Sequence, residues 1–238
     1  MIGEIYHIVV RAIEGFNLFR DNKDYYRCIH DLFEFNDKKP TQSNYRIAAT
    51  AKDDLNLART VLDRLAEIKN RTKRELLVEI LSFCLMPNHI HLLLKQLTDD
   101  GISAFMRKIG AGFVGYYNNR YHRKGHLFDG RYRAVRIEDD EQLKTVFVYI
   151  HTNPVSLIAS NWKEGGISEE ILPETIDFIE KYKWSSYSDY LGVKNFPSLT
   201  SREFLTGIMN DKEGMRQFVN DWLKFKSKSA DLNTAVIE

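Results

Sequence analysis

The sequence is short of cysteine, of long apolar runs and of net charge. Cys28 and Cys84 are the two cysteines in 238 residues, and both lie inside apolar segments. A disulfide framework is therefore excluded, and a reduced, cytoplasmic setting is expected. No apolar run approaches the roughly 20 residues that a membrane-spanning helix needs, so no membrane partner is expected. Met1-Ile2-Gly3-Glu4-Ile5-Tyr6 lacks the basic stretch that opens a secretory leader. Internal repeats and low-complexity tracts are absent. The 34 Lys and Arg almost cancel the 33 Asp and Glu, leaving +1, so any charged surface must be local. With 43% hydrophobic and 28% charged residues, the composition is that of a folded globular chain and excludes disorder.

Patterning along the chain mixes strands and helices. Tyr6 to Arg11 is rich in β-branched and aromatic residues and reads as a strand. Asp24 to Phe35 follows at helical spacing, and residues 36–50 are a polar loop. Residues 53–70, with Leu57, Val61, Leu62, Leu65 and Ile68, fit an amphipathic helix. Leu76 to Leu85 and His89 to Leu94 are apolar strands broken by Met86-Pro87-Asn88, which predicts a strand–turn–strand unit. Ile102 to Tyr121 predicts a helix that tolerates three glycines, and residues 123–136 a loop leading into a short strand. Asp139 with Gln142 has capping-box spacing, and the helix it opens should end near Asn153, before Pro154. Residues 160–175 read as a polar connection, with helical or irregular chain beyond and an exposed tail after Lys226. The expectation is an α+β fold.

Three features carry chemistry. In His89-Ile90-His91, strand periodicity puts both imidazoles on one side, where neutral nitrogens suit a divalent metal near pH 7. Two half-buried histidines on an ordinary strand is the plainer reading. Four residues separate Tyr149 from Asn153, so they share a helix face, with Tyr149 roughly 60° outside the apolar stripe. A phenol of pKa about 10 is a poor nucleophile without electrostatic help. A metal held by His89, His91 and the Asn153 amide oxygen would supply that help at a phosphoryl group. The plainer readings are a boundary tyrosine and a helix-ending asparagine. Third, Phe105 to Arg136 contains eight cations, Arg107, Lys108, Arg120, Arg123, Lys124, Arg131, Arg133 and Arg136, against Asp129 alone. Phe113, Tyr116, Tyr117, Tyr121, Phe128 and Tyr132 are interleaved with them. Cations track phosphates and aromatic faces stack unpaired bases, so this block predicts nucleic-acid contact.

Taken in order, five segments resemble one family. They are Tyr6-His7-Ile8 with 21–26; Met86-Pro87-Asn88-His89-Ile90-His91; residues 123–132; Tyr149-Ile150-His151-Thr152-Asn153-Pro154-Val155; and Trp184-Ser185-Ser186-Tyr187. The chain resembles the single-tyrosine transposases of the HUH (His-hydrophobe-His) superfamily, in the branch called REP-associated tyrosine transposases. The resemblance implies a ferredoxin-like antiparallel sheet flanked by helices, with a domain over residues 1–190 and a C-terminal helical extension over 191–238. It implies that Tyr149 attacks single-stranded DNA beside hairpins, leaving a 5′-phosphotyrosine and a free 3′-hydroxyl. It further implies a metal site of His89, His91 and Asn153 holding Mg²⁺ or Mn²⁺, and no nucleotide cofactor. Arg107, Lys108, Arg120, Arg123, Lys124, Arg131, Arg133 and Trp184 are the expected DNA contacts, and a monomer is expected over a dimer. Residues 36–74 and 156–182 are longer than in compact members, and Ala12-Ile13 replaces a frequent Gly-Asn.

Two rival readings differ in class. A metallohydrolase would need further ligands, yet Leu92-Leu93-Leu94 follows the histidines and the other five histidines form no second motif. A catalytically silent DNA-hairpin-binding protein would keep the basic block and lose the reactive residues, all of which are present.

Overall fold

The computed structural model describes residues 1–39, Asp63 and 74–228. The expected helix over 53–70 and most of the 36–74 insertion lie outside the described residues, as does the chain after 228. Strand β1 (Ile5–Arg11), helix α1 (Asn22–Glu34), strands β2 (Val78–Met86) and β3 (His89–Gln96), helix α2 (Gly101–Arg120) and strand β4 (Arg133–Ile137) follow in that order. The strands pair as β2-β3-β1-β4 and every pairing is antiparallel. This is the expected ferredoxin-like α+β arrangement.

Register decides what each face of the sheet carries. Val9 lies opposite His91 and Arg11 opposite His89, so alternation groups His7, Val9 and Arg11 with His89, His91 and Leu93 on one face. The other face gathers Ile8, Val10, Ile90, Leu92 and Leu94 with Phe83 and Leu85 of β2. Ile8, Phe83, Leu85, Leu92 and Leu94 are essentially inaccessible, each worth about 1.5–3 kcal/mol of burial. Leu32 of α1 and Met106 and Ile109 of α2 lie over this back face, where they line a cavity of about 630 Å³ with Val10, Ile90 and Leu92.

Helix α3 (Asp140–Thr152) covers the histidine face, packing on β2 and β3. Its start is fixed as the spacing predicts: the Gln142 backbone N–H donates to Asp139 Oδ1 at 2.7 Å, and the Glu138 N–H donates to Gln142 Oε1 at 2.8 Å. Leu143, Val146, Phe147 and Ile150 form the buried stripe. A 3₁₀ turn (Asn153–Leu157) follows, then α4 (Trp162–Gly165), α5 (Leu172–Lys181), α6 (Tyr187–Tyr190), α7 (Glu203–Ile208) and α8 (Asp211–Lys228). The stretch read as a polar connection over 160–175 thus contains α4 and the start of α5. Its four-residue helix is too short for a periodic signal to build up. Met215, Val219 and Leu223 of α8 are fully buried, and α8 packs on α3 and α4.

The segment Trp184-Ser185-Ser186 runs along the outer edge of β2. The Leu85 N–H donates to the Trp184 carbonyl at 2.8 Å, and the Ser186 N–H to the Phe83 carbonyl at 3.0 Å. Those bonds cover an edge that would otherwise invite intermolecular pairing. Among the described residues no helix is long and apolar enough to cross a membrane.

Candidate active site

His89 and His91 stand on the face covered by α3, as alternation predicts, with ring centroids 4.8 Å apart. Each has its Nδ1 already engaged. His89 Nδ1 is 2.6 Å from Asn88 Oδ1, and Asn88 is oriented by its own Nδ2 donating to the Gly15 carbonyl at 3.4 Å. An amide oxygen only accepts, so the His89 proton sits on Nδ1 and Nε2 presents its lone pair. His91 Nδ1 lies 3.0 Å from His7 Nε2, and the two rings stack at 5.2 Å. His91 Nε2 is buried with no hydrogen-bond partner. A buried orphan nitrogen calls for an explanation, and service as a metal-ligand atom is one.

All three imidazoles are held neutral at pH 7. Burial lowers the His7 pKa to about 4. His89 is lowered to about 4 by burial and then by the charges of Arg11 and Lys163. His91 is pushed well below the ordinary value, first by burial and then by its charged neighbours. Neutral imidazole is the ligand form, so the electrostatics suit a divalent ion.

Tyr149 projects from α3 toward this cluster. Its ring meets His91 edge-on at 5.5 Å and His7 at 5.8 Å, and the residue is 5% exposed. The helix end fixes it. The Asn153 backbone N–H donates to the Tyr149 carbonyl, and Asn153 Nδ2 donates to the same oxygen at 2.8 Å. Asn153 therefore ends the helix with its amide nitrogen, and Oδ1 is the atom left for a ligand role. Among the described residues no three His, Cys, Asp or Glu side chains are grouped to hold a metal. The nitrogen donors that stand together on this face are the imidazoles of His89 and His91.

Two residues enter the site that sequence reasoning did not assign to it. His7 was counted among histidines without a ligand motif; pairing of β1 with β3 brings it to His91. Lys163, inside the supposed polar connection, puts Nζ 3.3 Å from the Tyr149 hydroxyl and 4.8 Å from its ring centroid. Lys163 carries no local motif that could have revealed it, and His7, although in the Tyr6-His7-Ile8 segment, reaches His91 only through the strand register.

The expected DNA-contact residues divide by surroundings. Lys124, Arg131 and Arg133 are exposed, and Arg107 and Arg131 flank the back-face cavity with Tyr132. Arg123 lies over the rings of Phe16 and Tyr117 at 5.1 and 5.7 Å. Lys108 donates to the backbone carbonyls of Asp37 and Lys39. Arg120 is taken up by Asp21 and by fully buried Asp24, which also accepts from the hydroxyls of Tyr116 and Tyr121. Trp184 is 8% exposed and stacks on Tyr25 at 4.3 Å, which in turn stacks on Phe19.

Comparison with known proteins adds three findings. Residues 39–153 match the family described as "Transposase IS200 like". No curated protein matches the chain. Among solved structures, a REP-associated tyrosine transposase bound to a REP hairpin is similar at 13% identity and a TM-score of 0.42, over 85% of this chain and 88% of that one. A bacterial tRNA(His) guanylyltransferase (Thg1)-like protein in complex with ATP is similar at 14% identity and a TM-score of 0.37, over 92% of each chain.

Proposed function

We propose that the chain, whose residues 39–153 match the family described as "Transposase IS200 like", cleaves and rejoins single-stranded DNA next to hairpins, with Tyr149 as nucleophile. The observation that carries this reading is the approach of Tyr149 to the paired imidazoles, 5.5 Å between its ring and that of His91. A phenol beside two neutral imidazoles, with the buried Nε2 of His91 left without a hydrogen-bond partner, is an arrangement for attack on a metal-polarised phosphate. In the attack the Tyr149 oxygen bonds to phosphorus and the bond from phosphorus to the 3′-oxygen breaks. The phenolic proton is released and the departing 3′-oxygen takes one up. The 5′-phosphotyrosine keeps the energy of the broken bond, so rejoining to another 3′-hydroxyl needs no nucleotide cofactor.

His89 and His91, with Asn153 Oδ1, would hold Mg²⁺ or Mn²⁺, which when bound lowers the cost of charge gathering on the phosphoryl oxygens. Asn88 and His7 orient the two imidazoles from behind. Lys124, Arg131 and Arg133 are exposed cations suited to DNA phosphates, which agrees with a hairpin-bearing strand as partner of a REP-associated type of enzyme. We read the protein as a monomer with its site in one chain, a reading supported by the approach of Tyr149 to His91 and His7 of its own chain.

The test is incubation with labelled single-stranded hairpin DNA and Mn²⁺. A denaturation-resistant protein–DNA adduct in the wild type that disappears in Tyr149→Phe supports the enzyme. Hairpin binding without an adduct under any divalent metal identifies a silent binding protein instead.

A further inference from the structure

Lys163 is not part of any motif, yet the chain is built to return it to the nucleophile. Pro154 stops α3, and the 3₁₀ turn reverses direction, with the Ala159 N–H donating to the Val155 carbonyl at 2.8 Å. The Trp162 N–H then donates to the Ala159 carbonyl at 3.2 Å, opening α4. Trp162 is 3% exposed and α4 is packed between the turn and α8, so the backbone at Lys163 is anchored on both sides. From that anchor Nζ reaches back to the Tyr149 hydroxyl at 3.3 Å. Its charge also bears on His89 and His91, helping to depress both.

We propose that Lys163 is a catalytic residue of the strand-cleavage reaction, an ammonium that grips the scissile phosphate while Tyr149 attacks it. The inference rests on the transposase reading above. A phosphorus atom attacked by the Tyr149 oxygen must come within bonding reach of it. A cation already 3.3 Å from that oxygen then abuts the non-bridging oxygens of the same phosphate. Charge on those oxygens grows as the new bond forms, so the contact is stronger in the transition state than in the bound substrate. Lys163 moves no proton in this role. The bond made and the bond broken are those of the Tyr149 attack. A four-carbon stem on a fixed helix suits this, since the ammonium can follow a phosphate through several ångströms.

The test compares wild type, Lys163→Met, Lys163→Arg and Lys163→Ala in single-turnover adduct formation on saturating hairpin DNA with Mn²⁺. Thermal unfolding is followed alongside, and DNA affinity is measured in a Tyr149→Phe background. The expected result is an adduct rate about 100-fold lower in Lys163→Met, with DNA affinity within about 3-fold of its parent. Lys163→Arg should retain most of the rate, and ethylammonium added to Lys163→Ala should restore part of it. A structural role alone gives no rescue by a free amine. Adduct formation by Lys163→Met within 2-fold of wild type overturns the inference while leaving the transposase reading intact, as does a fall that neither arginine nor amine reverses. No adduct in the wild type overturns the transposase reading and this inference with it.

Discussion

His7 Nε2 and His91 Nδ1 lie 3.0 Å apart on adjacent central strands, one residue pair diagonal to the Val9–His91 pairing. A metal-binding His91 uses its Nε2 lone pair, which puts its proton on Nδ1 and makes His7 the acceptor. His7 would then fix the tautomer and tilt of a ligand without touching the ion. Replacing His7 by Ala should weaken Mn²⁺ binding by about 10- to 100-fold and lower adduct formation in proportion at limiting metal. Calorimetric titration with Mn²⁺ measures the first effect. Unchanged affinity would show that His91 needs no support from β1. His91→Ala removes a ligand itself and should lose more.

Arg120 was expected to touch DNA, but its guanidinium is spent on Asp21 at 2.5 Å and Asp24 at 2.6 Å. Asp24 is fully buried, and its carboxylate also collects the Arg20 N–H and two tyrosine hydroxyls. Removing the cation strands a buried charge, so Arg120→Ala should cost about 3 kcal/mol of folding stability. Chemical denaturation gives that number directly. A variant as stable as wild type but impaired in hairpin binding would instead restore Arg120 to the DNA surface.

Sequence pattern revealed what is local and missed what depends on distant pairing. Period-two alternation in 89–94 and the 3.6 spacing of Leu143, Val146, Phe147 and Ile150 gave the strand and helix that meet at the site, and the Asp139–Gln142 pair gave where that helix starts. Pro154 gave its end. Arg120 looked like a free cation because the acids that neutralise it lie near the other end of the fold's first half, in residues 21 and 24. His7 joined the site through a register between strands that no spacing reports. Lys163 joined it through a reversal of chain direction after Pro154. The glycines of α2 looked like weaknesses in a helix; at Gly112 a Cβ would collide with the Phe35 ring, so the missing side chain is what lets α1 and α2 close.

His151 supplies a pH signature independent of the metal site. Its Nε2 is 2.8 Å from Ser186 Oγ in a fully buried setting, and burial lowers its pKa to about 3 against a smaller opposing pull from the Phe147 backbone. In the unfolded chain the same imidazole titrates near 6.5. Above that pH neither state holds the proton, and this site carries no penalty. Between about 6.5 and 3 the unfolded state holds one proton more, so stability must fall as pH falls, by about 1.4 kcal/mol per pH unit from this group. His151→Gln should flatten the decline over that window by a similar slope, whatever its effect at neutral pH. Urea midpoints from pH 7 to pH 4.5 test this. Parallel curves for the two proteins would mean that His151 takes up its proton while folded.

Lys124, Arg131 and Arg133 remain exposed in a chain whose formal charge is +1, so hairpin affinity through them should depend steeply on salt despite the neutral total. Each phosphate contact releases condensed counterions, adding about 0.7 to 0.9 to the slope of log affinity against log salt. Single alanine substitutions at these positions should each reduce that slope by about 1 and weaken different hairpins alike, with unfolding temperature unchanged. Arg120→Ala should do the opposite, lowering the unfolding temperature while leaving the slope as it is. Binding isotherms at 50, about 100 and about 200 mM salt separate the two classes. An affinity that stays flat across that range would remove phosphate contact as the basis of recognition and leave the aromatic surface around Tyr132 to carry it.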